Sequence, residues 1–267
     1  RAAEDGETVA VRPAMERLTL DVIGRTLFGL DVEPYRGRIR RATRIFRRVY
    51  QRRTASIVPT WLPLPLNLWG YRAASTFDDV VATIVDEIRS RPEPGGLVGS
   101  LVERGVGDAR LHDHVGTFIL AGYETTAATL TWALYLTARD GSVQERLRRD
   151  DPSDATLADP SGGPPGDTQR VVMESMRLFP PIPYVVREVD RDVEIDGYGL
   201  AAGEQLLVPQ IVTHRDPEIW EDPMAFDPDR FDDTVDRPSF SFYPFGGGPR
   251  ICIGRPLALM EATTVVS

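Results

Sequence analysis

The chain has 267 residues, 42% hydrophobic and 27% charged, a balance that excludes a disordered chain and supplies a sizeable core. Its formal net charge of -9, from 40 acidic against 31 basic residues, excludes a protein that grips nucleic acid or an anionic membrane through a positive surface. A single cysteine excludes an intrachain disulfide and points to a reducing, cytoplasmic setting. Every basic residue is Arg, which a GC-rich genome explains more simply than a high-salt cytoplasm. His112 and His114 diverge on a helix and read as surface residues near a helix start. The opening RAAEDGETVA has neither an initiator Met nor a signal-peptide pattern, and the closing EATTVVS lies within an apolar helical pattern. The chain therefore reads as a fragment.

Met15 to Phe28 carries apolar residues at helical spacing, with Gly29 as a stop. Arg36 to Arg53 is arginine-rich and amphipathic through Ile39, Ile45, Phe46 and Val49, and in an acidic chain it reads as a solvated helix. Proline-punctuated turns (VPTWLPLPLN) precede a helix predicted from about Tyr71 to Arg89. The longest predicted helix runs from Leu111 to about Thr137. Its centre is apolar enough to suggest a membrane span, but Glu124 and several threonines sit there, and a central charge is costly in lipid. A core helix with a polar notch, and no membrane segment, is the better reading.

Asp151 to Asp167 reads as a loop, and Gln169 to Leu178 as a short helix stopped by Pro180-Pro181. Val185 to Pro209 has short strand-like runs with Gly turns, and Arg215 to Gly248 is irregular but packed. The predicted class is mainly α with a small β-sheet.

The chemistry concentrates in FGGGPRICIGRPLALME, Phe245 to Glu261. Consecutive glycines loosen the backbone ahead of Cys252, and an apolar helix begins just after it. A cysteine at a helix N-terminus meets amides and a macrodipole that stabilise a thiolate. Gly254 leaves room for a planar cofactor, and Arg250 offers a cation to a carboxylate. A buried structural cysteine needs no glycine-rich approach. A phosphate loop of Walker type needs a lysine, which this chain lacks. A dinucleotide fingerprint begun at Gly246 and Gly248 would put its third glycine at Ile251.

This segment resembles the haem-binding loop of the cytochrome P-450 family, through Phe245, Gly248, Arg250, Cys252 and Gly254, with Ala258 as the small residue that follows. AGYETT, Ala121 to Thr126, resembles the family's oxygen-activation motif. In that reading Gly122 removes bulk where a haem face approaches, and the Thr125 hydroxyl gives the helix a local irregularity. Glu174 and Arg177 share a helix face. With PDRF, Pro228 to Phe231, they resemble the family's buried Glu–Arg–Arg network, Arg230 being the third member and Asp229 standing where Glu is usual. Arg187, after IPYVV, is placed like the family arginine that pairs with a haem propionate.

The resemblance implies a partial cytochrome P-450 fold of soluble bacterial or archaeal type, a single domain over residues 1–267 truncated at both ends. It implies haem b (iron protoporphyrin IX) with Cys252 as axial ligand, and Phe245, Gly248, Arg250, Gly254 and Arg187 around the cofactor. Thr125 and Glu124 become the catalytic proton-delivery pair, and Phe118, Ala121, Ile182, Val185 and Val186 walls of the substrate pocket. The implied activity is a monooxygenase that inserts one oxygen atom of O2 into a small apolar organic substrate. Its electrons come from a ferredoxin or a flavoprotein reductase. Two alternatives stay open: a peroxide-using or rearranging haem-thiolate enzyme, and a non-catalytic fragment that does not hold haem.

Overall fold

The computed structural model describes residues 8–53, 65–149, 166–232, 234 and 237–267. Contacts divide the chain into two units, Arg1–Glu124 and Thr125–Ser267, with the division falling inside one long helix.

In the first unit, helix α1 (Val11–Ile23) starts a turn earlier than predicted, with Pro13 in its first turn, where a missing N–H is tolerated, and an Arg12–Glu16 pair at 3.1 Å one turn apart. It widens into a π-helical turn over Gly24–Phe28 and stops at Gly29, which is left-handed with φ 64. Helix α2 (Glu33–Arg53) is the arginine-rich stretch. Helix α3 (Pro65–Ser90) begins before the predicted Tyr71, because Pro65 takes a first-turn position rather than extending the turn region. The remainder of those predicted turns, residues 58–64, lies outside the described residues. Helix α4 (Gly96–Glu103) follows, and then α5 (Asp108–Arg139), which carries the unit's last residues.

The core of this unit comes from side chains at helical spacing: Leu20 and Ile23 on α1, Val80, Val81, Ile84 and Ile88 on α3, and Leu111, Val115, Ile119 and Tyr123 on α5. Each such aliphatic side chain contributes about 1.5–3 kcal/mol by leaving water. His112 is half-buried and His114 exposed near the start of α5, as predicted.

In the second unit, helix α6 (Gly141–Leu147) is capped by Asp140, whose carboxylate accepts from the amides of Ser142 and Val143 at 3.0 and 3.1 Å. Bonds from Ser142 and that capped helix end hold the Asp140 carboxyl below its usual range. The predicted loop from Asp151 lies outside the described residues up to residue 165. Helix α7 (Asp167–Leu178) ends before the two prolines. Strands β1 (Val185–Glu188), β2 (Val193–Ile195), β3 (Tyr198–Leu200) and β4 (Gln205–Val208) form two antiparallel ribbons, β1 with β4 and β2 with β3. The small β component is thus two ribbons rather than one sheet. Helix α8 (Gln210–Thr213), an irregular meander and helix α9 (Arg255–Val266) complete the unit, with α9 packed against α7. Among the described residues, no helix is long and apolar enough to cross a membrane.

Candidate functional site

The loop before α9 owes its path to its glycines. Gly246 and Gly248 adopt φ 73 and φ 66, left-handed values that other residues reach only with strain. Gly247 is extended, but a Cβ on it would lie 2.4 Å from the Phe240 ring, so the third glycine answers to packing. A short 3-10 turn over Gly248–Arg250 then reverses the chain, and the Cys252 amide donates to the Phe245 carbonyl at 2.9 Å. Phe245, Gly248, Arg250, Cys252 and Gly254 thereby share one tight loop. Gly254 caps α9, so Cys252 stands just ahead of that helix rather than in its first turn, a refinement of the sequence reading.

The Cys252 thiol is exposed, flanked by Ile251 and by Ile253, which is 89% exposed. A Cβ on Gly254 would sit 3.8 Å from the sulfur, in ordinary contact with it. Arg250 is exposed on the same turn.

Beneath this loop lies a buried polar knot. Glu174 and Arg177 are both 0% exposed, and their pairing is bidentate, Nε to Oε2 at 2.7 Å and Nη2 to Oε1 at 2.8 Å. Arg177 also donates to the carbonyls of His214, Pro223 and Ala225 at 2.8, 2.7 and 3.0 Å. Glu174 accepts further from the Asp227 amide at 3.0 Å, and Arg230 Nε approaches to 3.6 Å. Burial raises the Glu174 carboxyl, and Arg177 opposes that rise. Asp229, in the Glu position of the resembled motif, instead faces Arg146 at 2.9 and 3.1 Å across two oxygens.

His214 carries the support onward, and sequence reasoning missed it. It is fully buried, and its Nε2 accepts the Tyr243 amide at 3.0 Å, two residues before Phe245. Burial, with the Arg177 and Arg215 charges, lowers its pKa to about 4, so the ring is neutral and keeps that acceptor. A lone histidine in an irregular segment carries no sequence signal for such a role.

On α5, Glu124 and Thr125 are adjacent, and one expectation needs correction. The helix is regular α throughout the motif, with no irregularity at Thr125, and the next turn continues it, Thr129 Oγ1 donating to the Thr125 carbonyl at 3.2 Å. The space above Gly122 admits Ile23 of α1: a Cβ on Gly122 would lie 2.5 Å from Ile23 Cδ1. Packing against Ile23 therefore also favours glycine at this position. Between them Tyr123 is buried, its hydroxyl at 2.5 Å from Thr43 Oγ1 and its carbonyl accepting from Thr19 at 3.0 Å. Burial raises the Tyr123 phenol. Glu124 is half-buried, 3.7 Å from Arg47 Nη1, with the Tyr123 hydroxyl at 3.5 Å.

Arg187 lies exposed on β1, donating to the Val186 carbonyl at 3.0 Å. Of the expected pocket walls, Ile182 and Val186 are exposed, whereas Phe118 packs against the core of the first unit.

The loop's donor set fits a haem. A bare metal ion needs several protein ligands, and among the described residues no group of His, Cys, Asp and Glu offers them. An iron held by a porphyrin asks the protein for as little as one donor, and an exposed cysteine is a donor of that kind. The outward isoleucines offer apolar contact to a macrocycle, and Arg250 a partner for a carboxylate.

Comparison with known proteins agrees with this reading. A family model described as Cytochrome P450 matches residues 1–267. A Mycobacterium tuberculosis protein described as a cytochrome P450 137 is 32% identical over 265 residues, covering 93% of this chain and 53% of its own length. Cyclooctatin synthase of Streptomyces melanosporofaciens is 31% identical over 283 residues, covering 97% of this chain and 60% of its own. The crystal structure of the cytochrome P450DA heme domain superposes with a TM-score of 0.79 at 26% identity, over 98% of this chain and 61% of that one. The chain thus spans a little over half the length of these relatives. A glycine-shaped cysteine loop over a buried Glu–Arg knot, matched along all its residues by one family model, places the chain in the cytochrome P450 family.

Proposed function

We propose that this chain is the haem-binding part of a cytoplasmic haem-thiolate monooxygenase, with residues 1–267 belonging to one catalytic domain. Cys252 would hold the iron of haem b through its thiolate. Phe245, Gly248 and Gly254 shape the bend that presents the sulfur, while Arg250 and Arg187 offer cations to the propionates. When bound, the haem supplies an iron that activates O2, so that one oxygen atom enters a substrate C–H bond and the other leaves as water.

With haem bound, the Cys252 thiolate would lend the iron the electron density that favours O–O cleavage. Glu124 and Thr125, adjacent on α5, are the residues that serve proton delivery. Arg47, at 3.7 Å, keeps the Glu124 carboxylate oriented. The substrate is a small organic molecule with an apolar body to be oxidised, and the electrons come from a ferredoxin or a flavoprotein reductase.

One observation carries the reading: an exposed thiol whose own amide is tied back to Phe245, set between isoleucines that face outward. The test is the spectrum of the reduced, carbon monoxide-bound protein. A Soret band shifted strongly to the red, and lost in Cys252→Ala, is the expected result; an unshifted band refutes thiolate ligation. Turnover with O2 and a reductase, against turnover with peroxide alone, then distinguishes the monooxygenase.

A further inference from the structure

A cleft of about 270 Å³ opens between α2, α3 and α5, within the first unit. That is near the lower bound of about 300 Å³ for small-molecule pockets. Its middle is apolar, walled by Ala42, Ala74, Phe77, Gly116 and Leu120, with Thr43 and Thr117 beside them. One end is different. There His112 Nε2 lies 3.3 Å from the Asp78 carbonyl, joining α5 to α3, and Asp78 and Asp113, both exposed, line the cleft with it. Among the described residues, these two carboxylates are the only Asp, Glu, Lys or Arg side chains lining the cleft.

The other end is set by helix geometry. At 100° per residue, Asp113, Gly116, Thr117 and Leu120 lie on one stripe of α5, and the next position on that stripe is Glu124. The same holds on α2, where Thr43 lines the cleft and Arg47, one turn on, pairs with Glu124. From Asp113 to Glu124 the rise is about 16 Å at ~1.5 Å per residue. The cleft is therefore a trough along α5, acidic at its outer end and leading toward the proton-delivery acid.

We infer that this trough binds an organic cation, a hydrocarbon body with a basic or quaternary ammonium head, the head between Asp78 and Asp113 and the hydrocarbon directed along α5 toward Glu124. The assignment of this molecule as a substrate rests on the monooxygenase reading above; its binding does not.

Calorimetric titration of the purified, intact chain with octyltrimethylammonium, 1-octanol and octanoate tests it. A quaternary ammonium has no lone pair to ligate iron, and the heat of binding is independent of the haem spectrum. Two exposed carboxylates beside one cation correspond to about a tenfold preference for the cation over the alcohol, with octanoate weaker than both. Asp78→Asn with Asp113→Asn brings the cation down to the alcohol's affinity and leaves the alcohol unchanged. Leu120→Trp, which fills the trough without altering charge, weakens both probes. A cation no tighter than the alcohol, a preference that survives the double substitution, binding insensitive to Leu120→Trp, or no binding of any probe overturns the inference. A red-shifted carbon monoxide band alongside such a failure leaves the family chemistry standing; charge-selective binding without that band does the reverse.

Discussion

Removing the Arg177 side chain is the sharpest test of what supports the cysteine loop. In Arg177→Met the apolar stem keeps much of its packing, but five hydrogen bonds disappear. Glu174, fully buried, is left with the Asp227 amide at 3.0 Å and a distant Arg230. Breaking a buried pair by removing one partner costs about 3–5 kcal/mol. Each carbonyl of His214, Pro223 and Ala225 left without a donor adds about 1–3 kcal/mol where water cannot reach it. The loss therefore exceeds about 5 kcal/mol, the lower end of a whole domain's stability. Urea unfolding of the intact chain, followed by circular dichroism, measures it. Glu174→Met/Arg177→Met provides the internal check, because removing both charges leaves no orphaned carboxylate: the double variant is more stable than Arg177→Met alone. An Arg177→Met protein within about 1 kcal/mol of the parent, or a double variant less stable than the single, would refute the reasoning.

Two buried titrating groups make opposite contributions to stability. His214 has its pKa lowered from 6.5 to about 4, so its stabilisation is whole above pH 6.5 and falls away, by about 3 kcal/mol, as pH drops to 4. Glu261, buried with no partner for Oε1, has its pKa raised from 4.5 to about 7, so stability falls by about 3 kcal/mol as pH climbs between those values. The two slopes offset in the parent. Glu261→Gln then exposes stability that rises with pH across this window, and His214→Gln exposes stability that falls; urea midpoints from pH 4.5 to 7 that stay parallel to the parent's in both variants contradict this account. Gly122→Ala costs about 1 kcal/mol through contact with the flexible end of Ile23, and Ile23→Val, which removes Cδ1, restores the thermal midpoint. A deficit that persists in the double variant shows that something other than Ile23 sets the need for glycine there.

The helices were legible because their apolar residues recur at a period that backbone geometry imposes, as in Leu111, Val115, Ile119 and Tyr123. Their ends were less so. Pro65 reads as a turn residue and turned out to start α3, since a first-turn position needs no N–H. The bend before Cys252 was legible at Gly246 and Gly248, where left-handed φ demands glycine locally, but not at Gly247, which answers to the Phe240 ring. The packing around Gly122 was not legible: Ile23, whose side chain would meet a Cβ there, lies far away in sequence.

Taken by itself, the sequence determined the helical class, the lone thiol and the glycine bend that presents it, for these follow from local backbone chemistry and short spacings. Only the tertiary structure decided which carbonyls and amides Glu174 and Arg177 bond inside the fold, that His214 anchors Tyr243, and that Asp78 and Asp113 line one trough on α5. The physical reason is common to all three. Burial and pairing depend on which distant elements meet, and side chains separated by tens of residues carry no mark of their partners until the chain has folded.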